Sequence, residues 1–163
     1  MRYQCEVQAR VRDLNTSGHV DNIAVMRILD EARVLFLSEL TRVKGESVDP
    51  ARAAEGLAGA APGVNLLVVG QRVEYRQEMY VEPGTPFRVE VWLAHIGRSS
   101  IAMDFALRIG VPDDAPAQVV GETSAVLMDA ATSRPWSITD AVRSILSPYL
   151  EDPLPLRERA AGS

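Results

Sequence analysis

A short segment near the start of the chain holds an unusual density of groups that can take part in chemistry. Residues 11–22 include two aspartates, two asparagines, a glycine and one of the two histidines of the chain: Asp13, Asn15, Gly18, His19, Asp21 and Asn22. Carboxylates and imidazole can accept or donate a proton, and polar loop groups can hold a developing negative charge. The segment therefore indicates a site that stabilises an oxyanion, with side chains at hand for a water molecule or a proton.

The neighbouring elements place this segment at a junction between a strand and a helix. Residues 3–11 alternate between polar and apolar side chains, which predicts a first strand. From residue 22 to about residue 40, apolar side chains cover most of the circumference of a helix, so that helix should be largely buried. A helix that begins near Asp21 or Asn22 presents unpaired N–H groups at its positive end, and Gly18 lets a ligand carbonyl or phosphate approach closely.

The few charged side chains on the predicted helix are spaced for ion pairs. Arg27 can meet Asp30 and Glu31, and Asp30 can meet Arg33. We interpret these four residues as a strip of ion pairs that faces solvent or an interface.

The rest of the chain is dominated by segments with strand character, at residues 66–81, 87–96, 101–109 and 118–128. The links between them are too short for parallel crossovers, so neighbouring strands in this run should be antiparallel. Residues 44–65 predict a surface connector that can serve as a lid, and residues 137–146 predict a short helix capped by Thr139. The predicted fold class is α+β, with a curved antiparallel sheet of about five strands wrapped around one long central helix.

Length and composition favour one domain and disfavour several kinds of partner. With 163 residues, 47% of them hydrophobic, residues 1–150 fit a single globular domain, and residues 151–163 are expected to form a mobile tail. The net charge of −5, without a stripe of Lys or Arg, argues against nucleic acid, and no apolar run approaches the ~20 residues that span a bilayer. A single cysteine, Cys5, and the lack of a secretory leader pattern predict a cytoplasmic protein.

The reactive segment resembles the hotdog-fold thioesterases of the 4-hydroxybenzoyl-CoA thioesterase type, which are related to the acyl-carrier-protein thioesterases. The family pattern Asp-x-Asp-x-x-Gly-His-Val-Asn-Asn, followed by a helix ending in Glu-x-Ala-Arg, is matched by Asp13-Leu-Asn-Thr-Ser-Gly-His-Val-Asp-Asn22 and Asp30-Glu-Ala-Arg33. Val73-Glu-Tyr-Arg, Pro83-Gly-Thr and Ile96-Gly-Arg-Ser-Ser follow in the same order as in the family. The likeness covers roughly residues 3–147.

The resemblance implies a thioester hydrolase that releases a carboxylic acid and a thiol from acyl-CoA or from an acyl-carrier protein. It also implies a homodimer or a tetramer, with the site between subunits at the N-terminal end of the central helix. In the family, backbone N–H groups at that end polarise the thioester carbonyl, while a carboxylate acts as nucleophile or as base for water. The resemblance implies neither a metal nor a cofactor.

One position departs from the family pattern, because Asn15 stands where the second aspartate commonly supplies the catalytic carboxylate. Asparagine can be neither a general base nor the usual nucleophile. We therefore expect Asp13, with Asn15 and His19, to activate water, while amides near residues 18–20 hold the thioester oxygen. The substrate-binding residues predicted on the same grounds are Gly18, Val20, Asp21, Asn22 and Glu31.

Most of these candidates also have a structural interpretation. Asp13 can bind loop amides, and His19 can simply pin the loop. Asp21 or Asn22 can cap the helix. Glu31 lies ~13 Å beyond Asn22 along a helix axis, at about 1.5 Å per residue, so it reaches the site only if the cleft follows the helix or a partner subunit presents it.

Two other functions remain open. Asp13-Leu-Asn15 with His19 and Asp21 also resembles the Asp-x-Asn-Pro-x-His-x-Asp loop of (R)-specific enoyl-CoA hydratases. The fit is imperfect, because no proline follows Asn15 and the spacing from Asp13 to His19 is one residue longer than in that motif. A hotdog protein without its catalytic carboxylate can also bind acyl-CoA and leave it intact. Release of free thiol separates hydrolysis from both alternatives.

Overall fold

The computed structural model describes residues 1–40, 61–81 and 84–157, which contain five strands and two α-helices. In chain order these are β1 (Tyr3–Gln8), α1 (Asn22–Glu39), β2 (Val64–Tyr75), β3 (Pro86–Ile96), β4 (Ser100–Arg108), β5 (Val119–Asp129) and α2 (Asp140–Leu146). All strand pairs are antiparallel and the sheet order is β1-β3-β4-β5-β2, so β1 and β2 form its edges. No helix within the described ranges is long and apolar enough to cross a membrane.

The α+β class and the antiparallel sheet of five strands are confirmed, but two strand ends differ from the prediction. β1 ends at Gln8, because residues 11–13 turn into a short 3₁₀ helix. β2 ends at Tyr75, where the amides of Arg76 and Gln77 both donate to the carbonyl of Gln118 and the chain leaves the sheet. Most of the predicted connector at residues 44–65 lies outside the described residues.

The core lies between α1 and one face of the sheet. α1 packs mainly against β1 and β3, and its buried side chains recur at helical spacing along one strip: Val25, Ile28, Leu29, Ala32 and Phe36. The facing side chains of β3 alternate as the sequence predicts and are all buried: Phe87, Val89, Val91 and Leu93. Both sets belong to one contiguous hydrophobic cluster, so the sheet fixes the position of α1 and of the loop that precedes it.

The opposite face of the sheet is covered by residues 150–157, which we call the C-terminal strap. The Glu151 amide donates to the carbonyl of Leu93 at 3.0 Å, and the Trp92 indole N–H donates to the carbonyl of Asp152 at 3.3 Å. Farther along, the Leu154 amide donates to Asp104 Oδ2 at 2.6 Å. Residues 151–157, which the sequence assigned to a mobile tail, thus make hydrogen bonds to strands of the sheet, and residues 158–163 lie outside the described residues.

Asp104 is a buried carboxylate beneath the strap, and it gives the fold a pH dependence that can be measured. Its pKa is raised above the usual 3.8, first by burial and then by the negative charge of Glu122 across the strand pair, although the Leu154 amide and Arg2 oppose the rise. A raised pKa means that the folded state holds the Asp104 proton more tightly than the unfolded state does. The ionised carboxylate therefore destabilises the fold above its folded-state pKa, and this cost disappears as pH falls below the unfolded-state value.

We expect Asp104→Asn to raise the free energy of unfolding by about 1 kcal/mol near neutral pH, because the amide oxygen still accepts from Leu154 and no charge is buried. The difference between the variant and the wild type should shrink as pH is lowered, since protonation removes the same charge from Asp104. Urea unfolding of both proteins at several pH values measures that difference, in which other titrating groups largely cancel. A difference that grows towards acid would contradict the assignment.

Candidate active site

The reactive segment folds into a closed loop between the 3₁₀ turn and α1. The Asp21 amide donates to the carbonyl of Asp13 at 2.8 Å, and the Asn15 amide donates to the carbonyl of His19 at 2.8 Å. At the tip, the Gly18 amide donates to the carbonyl of Asn15 at 3.1 Å. Gly18 has a φ of 79°, which residues other than glycine rarely adopt. Gly18 therefore serves the tight turn.

The side chain of Asn15 organises this loop from within. Its Oδ1 atom accepts from the amide of Ser17 at 2.9 Å and from the amide of His19 at 3.1 Å. Such side-chain bonds to backbone amides two and four residues ahead stabilise a turn. The position that departs from the family pattern thus has a role in shaping the loop.

Asp13 lies beneath the loop and joins it to α1. Its side chain is only 2% exposed, and its Oδ2 atom accepts from the Arg10 amide and from Arg27 Nη2, each at 2.8 Å. Arg27 Nη1 donates to Glu31 Oε2 at 2.8 Å, so one guanidinium links the two carboxylates. The predicted pairing of Arg27 with Glu31 is confirmed, and the sequence did not predict its pairing with Asp13.

The loop ends at the N-terminus of α1, where several amides already have acceptors. Asp21 is the N-cap, as predicted, and its Oδ1 atom accepts from the Ile23 amide at 2.8 Å. The His19 amide is taken by Asn15, and the Val20 amide donates to the carbonyl of Met79 at 3.0 Å.

The first turn of α1 offers other donors. The first amides of a helix have no intrahelical acceptor, and the Asp21 side chain serves Ile23. Among the described residues, the amides of Asn22 and Ala24 are thus the ones left at this end to meet a ligand. They lie where the positive end of the helix dipole is strongest.

Residues 78–80 form a wall beside the loop, which the sequence did not place at the site. His19 and Tyr80 pair as an isolated antiparallel bridge, and their rings lie with centroids 4.5 Å apart at an angle of 55°. The Tyr80 hydroxyl donates to Glu78 Oε2 at 2.8 Å, and this bond is the main cause that raises the pKa of Tyr80. Tyr80 nevertheless remains 59% exposed.

Other apolar side chains are also exposed around the same loop. Ile23 projects from the first turn of α1 and is 80% exposed, and Val11 on the 3₁₀ turn is 82% exposed. Tyr75, at the end of β2, is close enough to Asp21 that the carboxylate adds to the effect of burial in raising the pKa of the tyrosine. Exposed apolar groups beside a polar loop are typical of a surface that a ligand or a partner covers.

A comparison with protein-family models identifies the family. Residues 9–146 match the model described as the thioesterase-like superfamily. The chain belongs to this superfamily. The match begins just before the 3₁₀ turn and ends with α2, so it includes the loop, α1 and β2 to β5.

Solved structures of other thioesterases share the fold of this thioesterase-like chain. A predicted thioesterase from Bacillus stearothermophilus is 17% identical, with a TM-score of 0.68, and the match covers 94% of this chain and 99% of that one. A Thermus thermophilus thioesterase, solved with coenzyme A and Zn, is 22% identical, with a TM-score of 0.64 and coverage of 88% and 95%. The 12:0-ACP thioesterase from Umbellularia californica is 18% identical, with a TM-score of 0.71, and the match covers 96% of this chain and 56% of that one. A comparison with curated proteins gave no match.

The structure thus brings together most of the predicted site residues of this thioesterase-like protein. The loop from Asp13 to Asn22 is one compact unit, and within the described part of the chain Arg27 is the residue that joins Glu31 to it. In the described ranges, no group of three His, Cys, Asp or Glu side chains is placed to hold a metal ion. The sequence does not predict that Glu78 and Tyr80 lie beside the loop. The one feature that could have indicated it is a tyrosine, Tyr80, on the polar side of the predicted strand.

Proposed function

We propose that this protein hydrolyses acyl thioesters, releasing a carboxylic acid and a free thiol. The observation that carries the proposal is the superfamily match over residues 9–146, which spans the polar loop at the N-terminus of α1. We further propose an arrangement of the hotdog type, in which the sheet curves around α1 and the loop lies at one end of the groove between them. The sequence of the loop favours the 4-hydroxybenzoyl-CoA thioesterase type within the superfamily.

The chemistry that we propose begins with the thioester oxygen at the amides of Asn22 and Ala24. Amides at a helix N-terminus can stabilise the oxyanion that forms when water adds to the thioester carbon. In this proposal His19, which is half-buried at the rim of the loop, takes the proton from that water and returns it to sulfur as the C–S bond breaks. Asn15 and Gly18 then shape the loop that presents His19.

Asp13 has a different role in this proposal from the one that the sequence predicts. Its Oδ2 atom is already bound by Arg10 and Arg27, and its side chain is almost fully buried. We therefore assign Asp13 as a positioning residue that holds the loop against α1. Glu31 shares this role through Arg27, while Asp21 fixes the first turn of the helix.

An acyl-CoA is the substrate class that we propose first, with an acyl-carrier protein as the alternative. The Thermus thermophilus neighbour was solved with coenzyme A, whereas the Umbellularia californica neighbour is named as an acyl-ACP thioesterase. The present chain aligns with most of the Thermus protein but with little more than half of the plant one. The similar overall size of the two proteins therefore favours the CoA-bound neighbour as the basis for proposing the substrate class.

We also propose that a second copy of the chain completes the site. β2 is an edge strand of 12 residues, and its side chains Leu67 and Val69 are 53% and 59% exposed. An edge of this length with exposed apolar side chains is suited to pairing with another strand. Because β2 ends near the loop at Tyr75, a partner on this edge would lie beside Asp21 and α1. Sedimentation of the protein and of Leu67→Lys tests the proposed assembly, a dimer or a tetramer.

The experiment that tests the function is release of free thiol from short, long and aromatic acyl-CoA thioesters. We expect turnover on at least one class, and we expect His19→Ala to reduce kcat by roughly 100-fold, the scale of one general acid–base group. Tight binding of acyl-CoA without thiol release would identify a non-catalytic binder. Addition of water to an enoyl-CoA, again without thiol release, would identify a hydratase and contradict the proposal.

A further inference from the structure

Among the described residues, the ring of Tyr80 lies against the imidazole of His19, and the reaction proposed above gives Tyr80 no role. The rings of His19 and Tyr80 are in contact, and the Tyr80 hydroxyl is anchored to Glu78. Together with the backbone bridge between residues 19 and 80, this arrangement restricts the imidazole on the side of the wall.

The fold itself does not require this anchoring. The loop and the wall are already held together by the backbone, through the Val20 amide and the carbonyl of Met79. Met79 is buried in the core, whereas the side chains of Glu78 and Tyr80 on either side of it point outward and are exposed. Replacing an exposed side chain away from core contacts generally changes stability by less than about 0.5 kcal/mol. An effect on turnover would therefore have to arise from the site.

We propose that Tyr80, anchored by Glu78, is a positioning residue that fixes the imidazole of His19 for thioester hydrolysis. This inference rests on the proposed function and extends it to a pair of residues outside the loop. Hydrolysis requires the base to lie within hydrogen-bond reach of the attacking water, and small misplacements of a catalytic group are costly. A rigid ring against the imidazole removes one direction in which it can rotate away.

Glu78 serves this unit as an acceptor and not as the base. Among the described residues, the side chain of Glu78 accepts its hydrogen bond from Tyr80, while its backbone carbonyl accepts from Gln118. Glutamine at the same position can accept the bond from Tyr80 without being able to take a proton from water. Glu78→Gln therefore separates anchoring from base catalysis. Glu78→Ala removes both functions and is its matched partner.

The kinetic test measures kcat and KM for the best thioester found with the wild type. Tyr80→Leu should lower kcat roughly 10- to 100-fold with little change in KM, whereas Tyr80→Phe, which keeps the ring, should lose less. Glu78→Gln should stay closer to the wild type than Glu78→Ala. A Tyr80→Leu variant with the kcat of the wild type would overturn the inference, as would a Glu78→Gln variant as impaired as His19→Ala. A change confined to KM would instead identify Tyr80 as a substrate contact and overturn the positioning role.

A second readout needs no turnover. The chain has two histidines, so the imidazole proton resonances of His19 can be compared directly with those of His95 on β3. Tyr80→Leu removes the ring current over His19 and should move its resonances while leaving those of His95 in place. Unmoved His19 resonances would show that the two rings are not in contact in solution, which overturns the inference. If the wild-type protein hydrolyses no thioester, the proposed function itself is overturned. The variants test only the role of Tyr80 and Glu78, so the two failures can be told apart.

Discussion

Asp13→Asn is expected to lower the free energy of unfolding by about 2 kcal/mol, because it removes the buried carboxylate from an ion pair whose guanidinium is 26% exposed. The carboxylate of Asp13 accepts from the Arg10 amide and from Arg27, whose other hydrogen bond goes to Glu31. Asparagine keeps the shape and one acceptor but loses the charge that Arg27 faces. Urea unfolding at neutral pH measures the loss.

The same substitution should reduce thioester hydrolysis, and a matched variant shows why. If Asp13 acts by holding the loop, then Arg27→Met, which breaks the same ion pair from the side of α1, should lower kcat to a similar extent. Both variants are assayed well below their unfolding temperatures, so that lost activity does not reflect unfolded protein. An Asp13→Asn variant that is as stable as the wild type but inactive would contradict this assignment and make Asp13 the base that activates water.

A double-mutant cycle of Asp13→Asn and Arg27→Met gives the strength of the contact itself. The two residues share one hydrogen-bonded pair, so the double variant should lose less stability than the sum of the single variants. Additive losses would show that the ion pair seen in the structure contributes nothing to the fold. The cycle therefore tests the geometry of the loop independently of any substrate.

What the sequence predicts well about this protein is local. Asp21 and Thr139 act as helix N-caps as their side chains predict, because an N-cap depends only on the residues immediately around it. The alternation from Phe87 to Leu93 predicts a buried face because successive residues of a strand point to opposite sides. The antiparallel order of β3, β4 and β5 follows from short links, which are also local.

What the sequence does not predict depends on contacts between distant parts of the chain. The spacing along the sequence predicts partners for Arg27 only within α1, but the loop brings Asp13 within 2.8 Å of its guanidinium. Tyr80 contacts His19 because the chain leaves β2 at Tyr75 and runs beside the loop. No residue pattern in that stretch predicts that the strand ends there. The amides that we propose as oxyanion donors differ from the predicted ones for the same reason, since the Val20 amide donates to the carbonyl of Met79 in that wall.

The C-terminal strap shows the same limit, because charge and proline content favour a mobile tail when the chain is read alone. In the fold, polar groups of the sheet provide partners for the backbone of the strap. Asp104 accepts from the Leu154 amide, and Arg76 donates to the carbonyl of Pro155. The other end of the chain also takes part, since Arg2 and the N-terminal ammonium both pair with Glu151.

Removal of strap residues 151–157, with the residues beyond them, should therefore cost stability. Truncation after Leu150 uncovers Trp92, which is 1% exposed and is otherwise covered in part by Arg2 at 3.9 Å from its ring, and it leaves Asp104 without its amide donor. We expect the free energy of unfolding to fall by about 3 kcal/mol, from the apolar area of a large aromatic ring and one hydrogen bond to a charged group. Urea unfolding gives the value, and the tryptophan fluorescence, which comes from Trp92 and Trp136, should shift to longer wavelength in the truncated protein.

The matched control is truncation after Arg157, which removes six residues and keeps every strap contact described above. This variant should unfold at the same urea concentration as the full chain, whereas truncation after Leu150 should unfold at a clearly lower one. Equal midpoints for all three proteins would mean that the strap does not hold the sheet in solution. If truncation after Arg157 already lowered stability as much as truncation after Leu150, the stabilising contacts would lie beyond residue 157. That result would contradict the role given to Glu151 and Leu154.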